Sequence, residues 1–117
     1  MQNDILTKSF TAEGAIPGNH IVTLGTAANS VTKASAATET LVGVTHNTAA
    51  TAGLMADVVM AGTPMVKAGA AITKGSYVTT DASGQAVAST AGTDRVIGIA
   101  LEGASTGDLF PVLLSFA

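Results

Sequence analysis

The second half of the chain, residues 72–117, reads ITKGSYVTTDASGQAVASTAGTDRVIGIALEGASTGDLFPVLLSFA, and residues 16–62 follow the same template. The matched positions are Ile16 with Ile72, Ile21-Val22-Thr23 with Tyr77-Val78-Thr79, Val31 with Val87, Leu41-Val42-Gly43-Val44 with Val96-Ile97-Gly98-Ile99, Thr51-Ala52-Gly53 with Ser105-Thr106-Gly107, and Val58-Val59-Met60 with Val112-Leu113-Leu114. The offset falls from 56 residues (16 to 72) to 54 (60 to 114), so two single-residue gaps align the copies. A doubled unit predicts one body with an internal pseudo-twofold.

The apolar runs of both copies are short, β-branched and separated by glycine and turn residues, a pattern typical of all-β proteins. Asp81-Ala82-Ser83-Gly84 has the chemistry of a hairpin turn, because aspartate caps it and glycine accepts the left-handed position. We therefore predict an all-β fold, a compact small barrel or sandwich of short strands. The runs around Gly43 and Gly98 should be its most buried strands and should meet at the centre. Segments 34–40, 47–53 and 89–94 are predicted loops, with a possible helical turn over Thr48–Met55.

A chain of 117 residues forms one domain. We expect a single β domain over residues 15–117, containing the repeats 16–62 and 72–117, preceded by an N-terminal arm over residues 1–14 that has no counterpart in the second copy. Ile5, Leu6 and Phe10 are the apolar residues of this arm and are the candidate partner contacts. An arm of this kind can lie on a neighbouring chain. The alternatives are a frayed terminus or an ordinary first strand of the barrel, with these side chains in the core.

Charge and composition exclude several function classes. The net charge is −3, and the five basic residues, Lys8, Lys33, Lys67, Lys74 and Arg95, are scattered, so no patch could neutralise a run of phosphates and nucleic acid is not an expected partner. The chain has no cysteine, no apolar run of membrane-spanning length, and no basic-then-apolar signal at its start. We therefore expect no disulfide, no membrane association and no signal peptide.

The polar residues do not form a catalytic or metal-binding pattern. His20 and His46 lack partners at ligand spacing, and His20 matches Ser76 of the second copy, which favours an exposed strand end. Asp81, Asp94, Glu102 and Asp108 stand beside glycine, serine or threonine and are predicted to form turns. No nucleophile elbow or phosphate loop is present. We expect a protein that is not an enzyme and that needs no cofactor or metal.

The run ITKGSYVTTDASGQAV followed by RVIGIALEGASTGDLFPVLL resembles the small phage capsid cement or decoration proteins. The likeness covers Ile72–Leu114 well and extends more loosely through the first copy. It implies a structural virion protein that binds the exterior of the expanded head, contacts the major capsid protein and stabilises contacts between its subunits. The resemblance and the low surface charge together suggest self-association as a trimer or dimer, and the resemblance implies synthesis in the host cytoplasm.

A second function class remains open, a non-enzymatic carrier or adaptor module of barrel-sandwich type. Biotinyl and lipoyl carriers are also internally duplicated, and the glycine rhythm around Lys67–Val78 is similar to theirs. That function requires a modifiable lysine at a hairpin tip between acidic or methionine neighbours. Lys67 and Lys74 do not match this pattern, which favours the structural function.

Overall fold

A computed structural model describes residues 3–46, 49–90 and 94–114. These residues form ten strands and, within those ranges, no helix. The strands are β1 (Asn3–Ala12), β2 (Ile21–Leu24), β3 (Ser30–Lys33), β4 (Leu41–Thr45), β5 (Met55–Thr63), β6 (Met65–Lys67), β7 (Tyr77–Thr80), β8 (Ala86–Ala88), β9 (Gly98–Ala100) and β10 (Leu109–Leu114). The all-β prediction is confirmed. Ala50 forms a β-bridge, residues 52–54 form a turn, and Met55 begins β5, so the helical turn expected over Thr48–Met55 is absent from its described part; Thr48 lies outside the described residues.

The first half of the chain forms a closed barrel in the order β1-β3-β2-β4-β5, and the second half forms a five-stranded sheet in the order β6-β10-β9-β7-β8. Closure pairs every strand of the barrel on both sides, so the first half has no free sheet edge. The barrel closes through antiparallel pairing of β1 with β5 and a short parallel pairing of β1 with β3. The end strands of the second sheet meet only at one parallel bridge, between Ala68 and Ala86.

The two halves share one pairing scheme. In the first half Val22 lies opposite Gly43, and in the second Val78 lies opposite Gly98. The bridge between Ile16 and Ala50 is repeated between Ile72 and Ala104, with both main-chain bonds at 2.8–3.0 Å in each copy. The bridge of Ala12 to Val31 is repeated by Ala68 and Ala86, so Val31 corresponds to Ala86 and not, as the sequence comparison suggested, to Val87.

Residues 3–12 are an integral strand of the barrel. Strand β1 pairs with β5 from Asn3 opposite Thr63 to Thr11 opposite Met55. The separate arm expected over residues 1–14 therefore gives way, for residues 3–12, to the alternative of a first barrel strand; residues 1–2 lie outside the described chain. The C-terminal end of β1 also has a counterpart, because β6 pairs with β10 in the register in which β1 pairs with β5.

The second half is held open by the first. The amide of Lys67 in β6 donates to the carbonyl of Asn19 (2.9 Å), and the amide of Ile21 donates to the carbonyl of Gly84, just before β8 (2.7 Å). Segment 19–21 therefore occupies the gap between β6 and β8. In the first half the equivalent gap is closed, since the amide of Thr11 donates directly to the carbonyl of Asn29 (3.0 Å).

Two buried clusters form the core. One fills the closed barrel and includes Phe10, Val22 and Val58. The other joins the interior of the second half to the outer face of the barrel, with Phe110 beside Val59 in one cluster. The strand containing Gly43 is buried throughout, whereas the run containing Gly98 is buried only in part, since Val96 is exposed and Ile99 is partly exposed. The two strands do not meet as expected: β4 lies between β2 and β5, and β9 lies between β7 and β10 in the other sheet.

Candidate functional site

The carboxylate of Glu13 binds the turn between β2 and β3, next to the pairing of β1 with β3 that closes the barrel. Glu13 follows β1 directly and accepts hydrogen bonds from the amide of Ala27 (2.8 Å), the hydroxyl of Ser30 (2.6 Å) and the amide of Thr26 (3.1 Å). These donors favour the charged form, with the Ala27 amide contributing most, and lower the pKa of Glu13 from 4.5 to about 2. The side chain is solvent-exposed, so the network holds a surface turn and does not form a proton-transfer site.

Three of the loop aspartates accept hydrogen bonds from residues close to them in the chain. Asp81 accepts from the amides of Ser83 (2.8 Å) and Gln85 (2.9 Å), Asp94 accepts from the hydroxyl of Ser89 (3.1 Å) and the amide of Thr90 (3.2 Å), and Asp108 accepts from the amide of Ser105 (3.0 Å). Glu102 is exposed beside Gly103. The structure therefore gives Asp81 and Asp108 the turn-forming role expected from the sequence, while residues 91–93, which connect Asp94 to its partners, lie outside the described chain.

His20 lies in different surroundings from those expected. His20 is 6% exposed, not at an exposed strand end, and its Nδ1 lies 2.8 Å from the carbonyl of Gly18. Its amide donates to the hydroxyl of Thr45 (3.0 Å), and the residues on either side of it, Asn19 and Ile21, bind the second half. His46 is partly exposed. Among the described residues no three His, Cys, Asp or Glu side chains are grouped to hold a metal ion, and no buried side-chain polar atom is without a hydrogen-bond partner.

The two lysines that a carrier function could modify, Lys67 and Lys74, lie in a strand and in a turn respectively. Lys67 lies within strand β6, and its amide binds Asn19 of the first half, so it is not at a hairpin tip. Lys74 is exposed in a tight turn in which the amide of Ser76 donates to the carbonyl of Thr73 (3.1 Å). The neighbours of Lys74 are threonine and glycine, not acidic residues or methionine.

The three candidate contact residues separate on β1. Leu6 is 51% exposed and lies between two register shifts in the pairing with β5. Irregularities of this kind re-aim a side chain away from the regular pleat. Phe10 is 6% exposed in the barrel core, with the Lys8 ammonium 5.0 Å above its ring centroid, so it has the core role kept as the alternative. The backbone of Ile5 belongs to β1, and its side chain lies outside the described part of the structure.

The exposed large apolar side chains are the clearest candidate contact groups in the described chain. They are Leu6, Leu24, Leu54, Met55, Tyr77, Val96, Leu101, Leu109 and Leu113. Tyr77, Val96 and Leu113 come from the second copy of the repeat and correspond to Ile21, Leu41 and Val59 in the first copy. Sequence comparison aligned these pairs but gave no signal that one member of each would be buried and the other exposed.

The model of the phage cement protein family matches residues 1–114. The chain belongs to the phage cement protein family. This membership confirms the resemblance seen in the motifs of the second copy, and it places the protein among the structural components of phage particles, associated with the capsid. The family is one of structural proteins and is not known for enzymatic activity.

A solved structure shares the fold of this cement protein. It is the N base of the head fiber gp8.5 in bacteriophage phi29, which superposes with a TM-score of 0.76 at 22% sequence identity. The match covers 94% of this chain and 93% of that chain, so the barrel and the second sheet are both included. At this identity the similarity establishes the shared fold. No curated protein sequence is similar enough to count as a relative.

Within residues 3–46, 49–90 and 94–114, no helix is long and apolar enough to cross a bilayer.

Proposed function

We propose that the protein binds the outer surface of the mature phage head and stabilises contacts between subunits of the major capsid protein. The observation that carries this proposal is the match of the cement family model to residues 1–114. The protein would be made in the host cytoplasm and added to the head after expansion. The fold agreement with a head fiber base supports attachment to a head.

The body of the protein suits attachment in many copies. Its barrel has no free edge, and its loops are held by carboxylates such as Glu13 and Asp81, so little order has to be gained on binding. Only 11% of the residues are charged, which keeps the cost of desolvating an interface low. A modest contact per copy becomes durable when one attached assembly engages several sites together.

The capsid contact is assigned to the N-terminal end of β1. Leu6 presents an apolar side chain to solvent at an irregular point of the strand, and Lys8, also exposed, lies two residues further on. Ile5 remains a predicted contact beside Leu6. Phe10 is not part of the proposed surface, because its side chain lies in the barrel core.

Co-sedimentation with phage heads tests the function. Purified protein is mixed with expanded heads stripped of it, and separately with unexpanded procapsids, and the bound fraction is measured over a range of concentrations. We expect saturable binding to expanded heads and a higher temperature of head disruption when the sites are filled. Absence of binding to both shells would overturn the proposal.

Two leucine variants test the surface. Leu6→Asp should weaken binding at least tenfold, because a charge would be desolvated in an apolar contact. Leu109→Asp is the matched control, since Leu109 is also 51% exposed but lies on β10. Equal binding by the Leu6→Asp and wild-type proteins would remove β1 from the interface while leaving head attachment intact.

A further inference from the structure

The turn between β2 and β3 and the turn between β7 and β8 begin at equivalent positions. In the first turn, the amide of Gly25 donates to the carbonyl of Ser30 (2.9 Å). In the second turn, the amide of Asp81 donates to the carbonyl of Gln85 (2.9 Å). The same bond therefore closes both turns, and an aspartate in the second copy stands where the first copy has glycine.

The residues that follow β1 and β6 are equivalent as well. The amide of Glu13 donates to the carbonyl of Val31 (2.9 Å). The amide of Gly69 donates to the carbonyl of Ala86 (2.8 Å), which corresponds to Val31. The two copies thus exchange a pair of residue types. The first copy has its carboxylate at the strand end and glycine at the turn, and the second copy has the reverse.

Each glycine leaves room for the carboxylate of the opposite position. A Cβ on Gly25 would lie 2.5 Å from the Cδ of Glu13, and a Cβ on Gly69 would overlap the Oδ2 of Asp81. Neither glycine has a positive φ, so the need for space, and not an unusual backbone, accounts for both. In each copy one carboxylate fills the space between the strand end and the turn.

The bonds of Asp81 flank the carbonyl that joins the two halves of the chain. Its Oδ1 accepts from the amides of Ser83 (2.8 Å) and Gln85 (2.9 Å), which lie on either side of Gly84. The carbonyl of Gly84 accepts from the amide of Ile21 in the first half (2.7 Å). The carboxylate therefore holds the backbone on both sides of the acceptor of that bond.

Glu13 holds the equivalent carbonyl in the first half. Its Oε2 accepts from the amide of Ala27 (2.8 Å) and the hydroxyl of Ser30 (2.6 Å), which lie on either side of Asn29. The carbonyl of Asn29 accepts from the amide of Thr11 (3.0 Å) and closes the barrel. One carboxylate in each copy thus braces the carbonyl at which the strands of that half are joined to β1 or to segment 19–21.

We propose that Asp81 is a positioning residue for the contact between the two halves, and that its site accepts one carboxylate from either the turn or the strand end. Loss of this carboxylate should loosen the backbone around Gly84 and weaken the bond from Ile21. A carboxylate supplied from position 69 should restore that bond, as the one from Glu13 does in the first copy.

Exchange of the two residue types in the second half tests the shared space. Gly69→Glu alone should lower the unfolding temperature, because its Cβ would overlap the carboxylate of Asp81. In the Asp81→Gly background the same substitution should raise the unfolding temperature, because it returns an acceptor to the turn. The Cβ of Gln85, 3.1 Å from the new Cβ, has to shift slightly. Failure of Gly69→Glu to raise the unfolding temperature of the Asp81→Gly protein would overturn the shared site.

Amide hydrogen exchange tests the positioning role. In Asp81→Gly the amide of Ile21 should exchange roughly tenfold faster, and the amide of Thr11 should keep its rate. Glu13→Gly is the matched control and should have the opposite effect, with faster exchange at Thr11 and no change at Ile21. The Gly69→Glu, Asp81→Gly double variant should return the Ile21 amide towards its wild-type rate.

The two amides separate positioning from a general loss of stability. A general loss speeds the exchange of both amides alike, whereas a positioning role speeds only the amide whose acceptor the carboxylate braces. Equal acceleration of Ile21 and Thr11 in the Asp81→Gly protein, or no acceleration of Ile21, would overturn the assignment of Asp81.

Discussion

The carbonyl oxygen of Leu113 occupies the space that a side chain on Gly98 would need. At the equivalent place in the first half, the carbonyl oxygen of Val59 stands in the same relation to Gly43. In both halves a methyl group of the preceding valine, Val112 or Val58, lies 3.0 Å from the position of the missing Cβ. The two glycine-centred runs of the sequence therefore have one physical cause, the close approach of a neighbouring backbone.

Gly98→Val should strongly destabilise the protein. The obstacle is a main-chain carbonyl rather than a flexible side chain, so β9 and β10 must separate to admit the new atoms. Overpacking of this kind costs roughly 1–3 kcal/mol, and a backbone obstacle places the expected cost at the upper end. Thermal unfolding followed by circular dichroism measures it. Gly14→Ala is the control, because nothing lies within 4 Å of its Cβ position. An unfolding temperature of the Gly98→Val protein equal to that of the control would contradict the close approach.

Truncation of the equivalent residues Ile21 and Tyr77 should destabilise the protein to very different extents. Ile21→Ala removes a side chain that is 0% exposed between the two halves, which should cost about 2–5 kcal/mol. Tyr77→Ala removes a side chain that is 62% exposed. The free energy of unfolding of the monomer should fall by no more than about 0.5 kcal/mol. Urea unfolding at a concentration low enough to keep the protein monomeric gives both values. Equal losses of unfolding free energy would show that the Tyr77 side chain is also covered within the chain.

The turn held by Glu13 should resist acid. Because the pKa in the folded protein is lowered to about 2, the stabilisation by the carboxylate is complete above 4.5, the ordinary value, and is lost as the pH falls through about 2. The amide of Ala27, which donates to this carboxylate, reports the change in an NMR titration. We expect its chemical shift to move with a midpoint near pH 2. A midpoint near 4.5 would mean that the hydrogen bonds to Glu13 do not persist in solution, and Glu13→Gln should abolish the titration altogether.

The sequence predicted the parts of the fold that depend on local patterns. Short β-branched runs, the Asp81–Gly84 turn and the repeated glycine-centred runs are all visible in the order of residues, and the structure places them in one doubled strand scheme. The counterpart of β1 was missed because Phe10-Thr11-Ala12 and Val66-Lys67-Ala68 share only their alanine. Their equivalence lies in pairing with β5 and β10, which the sequence does not display.

The contact between the halves could not be predicted from either copy alone. The burial of Ile21 arises from segment 19–21 entering the gap between β6 and β8, a contact across more than forty residues. Two equal copies in sequence thus become unequal in the fold, since one barrel is closed and the other is held open. The pattern could not show whether Phe10 was a surface or a core residue for a different reason: its burial depends on the pairing of β1 with β5 that closes the barrel.

Asn19 should stabilise the protein in two separable ways. Its backbone has a φ of 60°, and its Nδ2 donates to the carbonyl of Met65 in the second half at 3.0 Å. Gly75 takes its place in the second copy with a φ of 88°. Asn19→Gly keeps the left-handed backbone and removes the side-chain bond, which should cost roughly 0.5–1.5 kcal/mol. Asn19→Ala loses the same bond and adds a left-handed penalty of about 1–2 kcal/mol.

The order of stability in urea should therefore be wild type, then Asn19→Gly, then Asn19→Ala. The two variants differ only in the backbone term, and the wild type and the glycine variant differ chiefly in the bond that joins the halves, so unfolding curves of the three proteins separate the contributions. Gly75→Ala provides an independent value for the backbone term, because nothing lies within 4 Å of its Cβ position and only the conformation is strained. If Asn19→Gly is as stable as the wild type, the bond to Met65 contributes nothing to the contact between the halves. If Asn19→Ala matches Asn19→Gly, the left-handed backbone at this position is relaxed in solution.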